Sequence, residues 1–185
     1  MSLVEITPES HDVRIDLKYA TRDNFTGKPV YRKGAGCYLH AEAAEKLQTA
    51  VTLAKTQGYR FTIYDAFRPT EVQWKLWEHT PDPNFLANPA KGSPHSRGVA
   101  VDLTLCTWDF TPLDMGTGFD EFHPRSHHGR LDVNGQAQRN RLLLMGIMTT
   151  AGWDFYRNEW WHYQLFNSRS YPLYADADAP ARVML

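Results

Sequence analysis

The chain has 185 residues, enough for one domain with a well-packed core and short for two, so we expect a single domain over residues 1–185. Charged residues make up 22% of the chain and the formal net charge is −1, so it lacks the basic excess that suits a nucleic acid or an anionic membrane. No stretch approaches the ~20 apolar residues of a membrane helix, and we expect neither a nucleic acid nor a membrane as a partner.

The N-terminal segment, residues 1–12, contains acidic side chains and no apolar core of signal-peptide length. This composition predicts a cytoplasmic protein, or a periplasmic one if a leader has been removed. The two cysteines, Cys37 and Cys106, are too few for a disulfide framework, and we expect both to be buried free thiols.

The first half of the chain predicts a helix, a strand and a second helix. Residues 39–57 carry apolar side chains at helical spacing and predict an amphipathic helix. Residues 60–67, RFTIYDAF, are rich in β-branched and aromatic side chains and predict a strand that Pro69 ends. Thr70 and Gln73 have the spacing of a capping box at the start of the helix TEVQWKLWEH.

The second half begins with a strand at residues 99–105, VAVDLTL, followed by an irregular segment at 107–135. Residues 137–152, AQRNRLLLMGIMTTAG, predict a second long helix. Residues 159–166, EWWHYQLF, are strongly β-prone, and the tail after Pro172 is expected to be loosely structured. Because helices and strands do not alternate regularly, the fold class predicted is α+β, with a mainly antiparallel central sheet and flanking helices. A Rossmann-type fold is excluded, since no glycine-rich turn follows a strand and opens a helix.

Three polar residues lie where a sheet would keep them from solvent. Asp102 stands among apolar neighbours in the strand at 99–105, His95 just precedes that strand, and His162 lies inside the β-prone segment. Two imidazoles and one carboxylate suit Zn²⁺, whose catalytic sites leave the fourth position to water. Gly98 would relax the turn that brings His95 over Asp102.

Glu159 stands three residues before His162 and is the candidate general base beside such a metal. Because residues i and i+3 of a strand face opposite sides, this pair requires a bulge or a loop-to-strand transition around Trp160. Trp160 and Trp161 would then wall the pocket and keep it apolar.

Spacing alone leaves other assignments open. His95 is compatible with an ordinary loop histidine, and Asp102 with a capping residue or an arginine partner. The segment FHPRSHHG offers His123, His127 and His128 as competing metal ligands, although its irregular context favours plain loop residues.

The pattern Ser-x-His-x-x-Gly-x-Ala-x-Asp, here SPHSRGVAVD, followed by Glu-x-x-His, here EWWH, resembles the zinc D-alanyl-D-alanine dipeptidases. That family belongs with the zinc D-Ala-D-Ala carboxypeptidases and shares a metal-site fold with hedgehog signalling domains. KYATRDNFTGKPVY, YDAFRP, GTGFDEFHPRSHH and AQRNRLLL resemble the dipeptidase branch specifically, so the resemblance covers nearly the whole chain. Pro94 is a local departure, because a small polar residue is common there in the family.

The resemblance implies roles for eight residues. They are the zinc ligands His95, Asp102 and His162, the catalytic residues Glu159 and Arg68, and the substrate-binding residues Asp120, Ser93 and Tyr19. Glu159 would act as general base and acid, Arg68 would support the substrate carbonyl, and Asp120 would hold the substrate ammonium. One Zn²⁺ per chain is implied.

The implied activity is hydrolysis of the dipeptide D-Ala-D-Ala to two D-alanines, which would degrade a cell-wall precursor or recycle D-alanine. One alternative is a zinc D,D-carboxypeptidase or endopeptidase that acts on peptidoglycan itself. Another is a non-catalytic zinc-binding module of the hedgehog type, which would need neither Glu159 nor Arg68. The sequence leaves the oligomeric state open.

Overall fold

The computed structural model describes residues 3–183, in which strands and helices follow one another irregularly. The strands are β1 (Leu3–Ile6), β2 (Arg14–Ile15), β3 (Cys37–His40), β4 (Arg60–Asp65), β5 (Ala100–Cys106), β6 (Trp153–Phe155) and β7 (His162–Leu165). The α-helices are α1 (Pro8–His11), α2 (Ala41–Thr56), α3 (Thr70–His79) and α4 (Gly135–Thr150).

The central sheet has five strands in the order β2–β4–β5–β7–β6. β2 runs parallel to β4, and the other three pairings in this sheet are antiparallel. β1 and β3 form a separate antiparallel pair. The predicted α+β class with a mainly antiparallel central sheet and flanking helices is therefore confirmed.

The core lies between the central sheet and its helices. β5 is buried along its whole length, as expected for a strand with neighbours on both edges. The predicted amphipathic helix is α2, which buries the stripe Ala43, Leu47, Val51 and Ala54 and contacts β4. Removal of this apolar surface from water is the main force that holds helix and sheet together.

The capping box predicted at Thr70 is wrong. Thr70 is the first residue of α3 itself, and Pro69, which precedes it, makes no side-chain cap hydrogen bond. The Gln73 carboxamide is engaged elsewhere: its Oε1 accepts from Arg68 Nη1 at 3.0 Å and its Nε2 donates to the Ala87 carbonyl at 2.7 Å. The Gln73 side chain therefore bonds to Arg68 and Ala87, which lie outside α3, and not to the start of its own helix.

The β-prone segment at 159–166 is a strand only over β7. Trp160 and Trp161 form a turn that leads into it, which confirms the predicted loop-to-strand transition. The tail after Pro172 is irregular but not loose, so that expectation is wrong. Its Tyr174 N–H donates to the Ser96 carbonyl at 2.8 Å, and Val183 is fully buried.

Two further predictions concern cysteines and membranes. Cys37 and Cys106 are both buried free thiols, as predicted. Within residues 3–183, no helix has the length and apolar character needed to cross a membrane.

Candidate active site and metal centre

Strand register brings residues from distant parts of the chain into one row. Asp102 on β5 pairs directly with His162 on β7, and on its other side it pairs with Asp65 on β4. The three side chains therefore stand on neighbouring strands at the same level of the sheet.

His95 reaches this row from a short 3-10 turn, His95–Arg97, that leads into β5. The turn ends at Gly98, whose φ of +66° lies in the left-handed region. A Cβ at Gly98 would also lie 2.6 Å from Leu3 Cδ2 and 3.0 Å from the backbone nitrogen of His40. Glycine is needed on both counts, which agrees with the role predicted for it.

The three predicted ligands present one atom each to a common point. His95 Nε2 lies 3.1 Å from His162 Nδ1, and Asp102 Oδ1 lies 3.3 Å and 3.0 Å from these two nitrogens. Ligand atoms at tetrahedral angles and about 2.0 Å from a zinc ion would lie about 3.3 Å apart. The donor set therefore fits a tetrahedral metal ion. Among residues 3–183, these three are the His, Cys, Asp and Glu side chains whose ligand atoms lie close enough together to hold one metal ion.

The outer nitrogen of each imidazole has its own protein partner. His95 Nδ1 lies 2.7 Å from the Ala66 carbonyl, and His162 Nε2 lies 3.2 Å from Gln164 Oε1. Because the outer nitrogens donate to these oxygens, the inner nitrogens can offer lone pairs to a cation. Burial alone would raise the pKa of Asp102, but the His95 and His162 rings outweigh it and hold that pKa below its usual range.

A cavity of about 330 Å³ opens over the ligand set. All eight residues singled out from the sequence line it, namely Tyr19, Arg68, Ser93, His95, Asp102, Asp120, Glu159 and His162. Trp161 also lines the cavity. Trp160 does not belong to its described lining, so the expectation that both tryptophans wall the pocket is wrong for Trp160, whose indole Nε1 donates to Thr117 Oγ1 at 2.9 Å.

Glu159 lies beside the ligand set without belonging to it. Its Oε2 is 3.9 Å from His162 Nδ1, and the side chain is buried. Burial raises the pKa of Glu159 well above its usual range, and the Asp102 and Asp120 carboxylates add to the effect. A cation held by the ligand set would oppose this shift and favour the ionised form that a general base requires.

Arg68 is held by a second buried carboxylate. Its Nε and Nη2 lie 2.9 Å and 2.7 Å from Asp65 Oδ2, and Nη2 lies 3.7 Å from Asp102 Oδ2. Asp65 Oδ1 accepts from the Tyr31 hydroxyl at 2.7 Å, and Gln73 holds Nη1. These contacts fix a permanent positive charge at the edge of the ligand set.

Asp120 is a buried carboxyl with one oxygen that lacks a hydrogen-bond partner. Its Oδ1 accepts from the Tyr19 hydroxyl at 3.3 Å, whereas no described group pairs with its buried Oδ2. Burial, and then the Asp102 carboxylate, raise the pKa of Asp120 to about 8. A buried carboxyl that lines a cavity and has one oxygen without a hydrogen-bond partner is suited to a cationic ligand.

We expect Asp120→Asn to stabilise the metal-free protein at pH 8. The pKa of about 8 in the folded state lies above the ordinary value of 3.8, so ionisation of this carboxyl opposes folding as the pH rises from about 4 to 8. Asparagine keeps the shape and tolerates the left-handed backbone of residue 120. Urea unfolding should give a gain of at least about 1.4 kcal/mol at pH 8, the equivalent of one pKa unit, and little gain at pH 4. Equal gains at both pH values would contradict the raised pKa.

The predicted residue Ser93 and the competing histidines have local roles. Ser93 Oγ accepts from the His95 backbone N–H at 3.2 Å, so it shapes the turn that carries this ligand. His123 caps a 3-10 turn by accepting from the Arg125 N–H at 3.1 Å. His127 and His128 stand in the loop with it, outside the ligand set at His95.

Sequence reasoning missed three residues that support the site, Asp65, Gln73 and Gln164. Each is a polar residue beside a predicted functional residue, Arg68 or His162, and Asp65 and Gln164 also lie in predicted strands. The sequence did contain a signal for such supporting residues. Strand or helix periodicity directs their polar side chains toward the interior.

A tetrahedral donor set of two histidines and one aspartate, next to a buried glutamate and a buried arginine, is the composition of a metallopeptidase active site. Residues 1–178 match the sequence model of the D-Ala-D-Ala dipeptidases of peptidase family M15, and the chain belongs to this family. The resemblance seen in the motifs is thereby confirmed.

Two curated relatives are D-alanyl-D-alanine dipeptidases. That of Escherichia coli K12 is 47% identical over 174 residues, covering 94% of this chain and 90% of the relative. That of Enterococcus faecium is 39% identical over 178 residues, covering 84% of this chain and 87% of the relative. The solved structure of VanYB in complex with D-alanine-D-alanine is similar over 76% of this chain and 78% of that chain, with 14% identity and a TM-score of 0.49.

Proposed function

We propose that this chain is a zinc-dependent dipeptidase that hydrolyses D-Ala-D-Ala to two D-alanines. The observation that carries the proposal is the single cavity in which the His95–Asp102–His162 set, Glu159 and the unpaired oxygen of Asp120 meet. The names of the relatives support the choice of substrate. The cytoplasmic location and the physiological role stay predictions from the sequence.

Zinc bound by His95, Asp102 and His162 would supply Lewis acidity and lower the pKa of a water to about 7. Glu159 would take a proton from the attacking water, and the distance of 3.9 Å from its Oε2 to His162 Nδ1 supports this role. Water adds its oxygen to the peptide carbonyl carbon. Glu159 then returns the proton to the departing nitrogen, so the C–N bond breaks and a carboxylate and an amine are released.

Arg68 stabilises the negative charge that develops on the carbonyl oxygen. Its guanidinium is already fixed by Asp65 and Gln73, so little reorganisation is needed when the charge appears. Asp120 holds the free ammonium of the substrate through its unpaired oxygen. A longer peptide has an uncharged amide at that place and would leave the carboxylate unpaired.

The direct test is metal content together with D-alanine release. We expect one zinc per chain with two nitrogen and one oxygen ligands from protein, release of two D-alanines per dipeptide, and loss of activity on chelation that zinc restores. Elemental analysis, X-ray absorption and a D-alanine assay measure these. Full activity of the metal-free protein, or a sulfur ligand from Cys106, would refute the proposal; zinc without hydrolysis would favour the non-catalytic binding module.

Acetylation of the substrate amine tests the role of Asp120. N-acetyl-D-Ala-D-Ala lacks the ammonium, so the buried carboxylate loses its partner, at a cost of about 3–5 kcal/mol. We therefore expect kcat/KM to fall at least about a hundredfold relative to the free dipeptide. Asp120→Asn should lower kcat/KM for the free dipeptide. It should also narrow the difference in kcat/KM between the free and the acetylated dipeptide. Comparable hydrolysis of both substrates by the unsubstituted protein would reject the dipeptidase and favour the carboxypeptidase.

A further inference from the structure

Arg141 is a buried cation that lies outside the cavity. It stands on α4, is 4% exposed, and directs its guanidinium at the segment 115–127. Its Nε donates to the Met115 carbonyl at 2.7 Å, and Nη1 donates to the carbonyls of Arg125 and His127 at 2.8 Å and 3.1 Å. Its Nη2 lies 3.3 Å from Thr117 Oγ1. One side chain thus fastens both ends of this segment to α4.

The segment 115–127, the Asp120 segment hereafter, needs such support. Asp120 adopts a φ of +56°, in the left-handed region, which is unfavourable for most side chains and which aspartate and asparagine enter more readily than the others. A backbone of this kind persists only where its surroundings determine it. Asn140, the neighbour of Arg141, adds a hydrogen bond of 2.7 Å from Nδ2 to the Asp114 carbonyl.

The same contacts join the Asp120 segment to the turn that carries Glu159. Thr117 Oγ1 accepts from Trp160 Nε1 at 2.9 Å and lies 3.0 Å from Ser126 Oγ. The Trp160 backbone N–H donates to the Ser126 carbonyl at 3.1 Å. Arg141, Thr117 and Trp160 therefore form a continuous series of hydrogen bonds behind the cavity, with Asp120 on one side and Glu159 on the other.

We propose that Arg141 is a positioning residue that sets where the Asp120 carboxylate stands relative to Glu159 and the ligand set. It would thereby fix the distance from the substrate ammonium to the scissile bond, which is the length of one residue. The inference rests on the proposed function. A lysine cannot replace this arginine, because a single ammonium cannot span three carbonyls and a hydroxyl as the planar guanidinium does.

Three variants isolate the effect. Arg141→Lys keeps the charge and removes the planar guanidinium, whereas Thr117→Val removes the hydroxyl that contacts Trp160, Arg141 and Ser126 and keeps the side-chain shape. Arg139→Lys is the matched control, since Arg139 lies two residues away on the same helix, is exposed, and donates to Gln136 of its own helix. Thr117→Val decides the question if Arg141→Lys fails to fold.

The first readout is amide hydrogen exchange in zinc-loaded protein without substrate. Arg141→Lys should accelerate exchange at least about tenfold in the Asp120 segment, and Thr117→Val should accelerate it in residues 158–161, while Arg139→Lys changes neither. Unchanged exchange in both regions would overturn the inference. This readout needs no catalysis, so it separates a failure of the inference from a failure of the proposed function, which would appear as an inactive unsubstituted protein.

The second readout is how the loss of kcat/KM for D-Ala-D-Ala divides between KM and kcat. A misplaced Asp120 weakens binding of the ammonium in ground and transition states alike, so KM for D-Ala-D-Ala should rise about tenfold in Arg141→Lys while kcat changes less than about threefold. The preference for the free over the acetylated dipeptide should narrow, and zinc affinity should stay within about threefold. A loss of soluble active protein with unchanged KM and unchanged preference would show that Arg141 acts on stability alone.

Discussion

Glu159→Gln is expected to lower kcat for D-Ala-D-Ala by about 10²–10⁴-fold while zinc content and fold are retained. The substitution removes the proposed base and keeps the size of the side chain. We do not expect Glu159 to be a ligand, since its Oε2 lies 3.9 Å from His162 Nδ1 while the atoms of the proposed ligands lie 3.0–3.3 Å from one another. Steady-state kinetics together with elemental analysis of the same preparation measure both halves of the expectation.

Glu78→Gln provides the control for Glu159→Gln. Glu78 is exposed on α3, so the same chemical change there should leave kcat within about twofold of the unsubstituted protein. If Glu159→Gln keeps near-full kcat, the base is another group. If it loses zinc as well as turnover, Glu159 contributes to metal binding and the assignment of three protein ligands is wrong.

Arg68→Met is expected to lower kcat by about 10²–10³-fold, the usual effect of losing one donor to a developing oxyanion. The Arg68 side chain is buried and held by Asp65, so in the variant water has little access to the site to stabilise the oxyanion instead. KM should change less than kcat, because the interaction strengthens when the carbonyl oxygen becomes negative.

The removal of Arg68 also leaves Asp65 buried without its cation, which costs stability by itself. The double variant Asp65→Asn with Arg68→Met removes this second effect, because asparagine is neutral and can still accept from the Tyr31 hydroxyl. We expect the double variant to regain stability in urea unfolding and to remain as slow as Arg68→Met. Recovery of kcat together with stability would mean that Arg68 serves the fold rather than the reaction.

Periodicity predicted the fold class, and residue type and position singled out His95, Asp102, His162 and Glu159. The other residues that line the cavity, namely Arg68, Asp120, Ser93 and Tyr19, were predicted from the family resemblance alone. His95 and Asp102 are seven positions apart in the sequence, and Glu159 and His162 are three positions apart. The pairing of Asp102 with His162 could not be derived locally, since strand register depends on side chains and turns throughout the sheet.

Supporting residues were harder to predict because their partners lie far away or compete with local ones. Gln73 has the spacing of a capping box with Thr70, yet its carboxamide serves Arg68 and the Ala87 carbonyl. Arg141 did leave a signal. It shares a buried helical stripe with Ala137, Leu144 and Met148, and a charged residue on an apolar stripe indicates a buried hydrogen-bonding role.

The strand register at the proposed ligand set determines when during synthesis the protein could bind zinc. The first two ligands are seven positions apart in the sequence, whereas His162 lies 60 residues beyond Asp102 and 67 beyond His95. A chain emerging from the ribosome can therefore offer only two ligands until β7 has been synthesised and has closed against β5. Tight binding of the proposed zinc ion would then follow completion of the sheet, and the energy of binding would add to the stability of the folded protein alone.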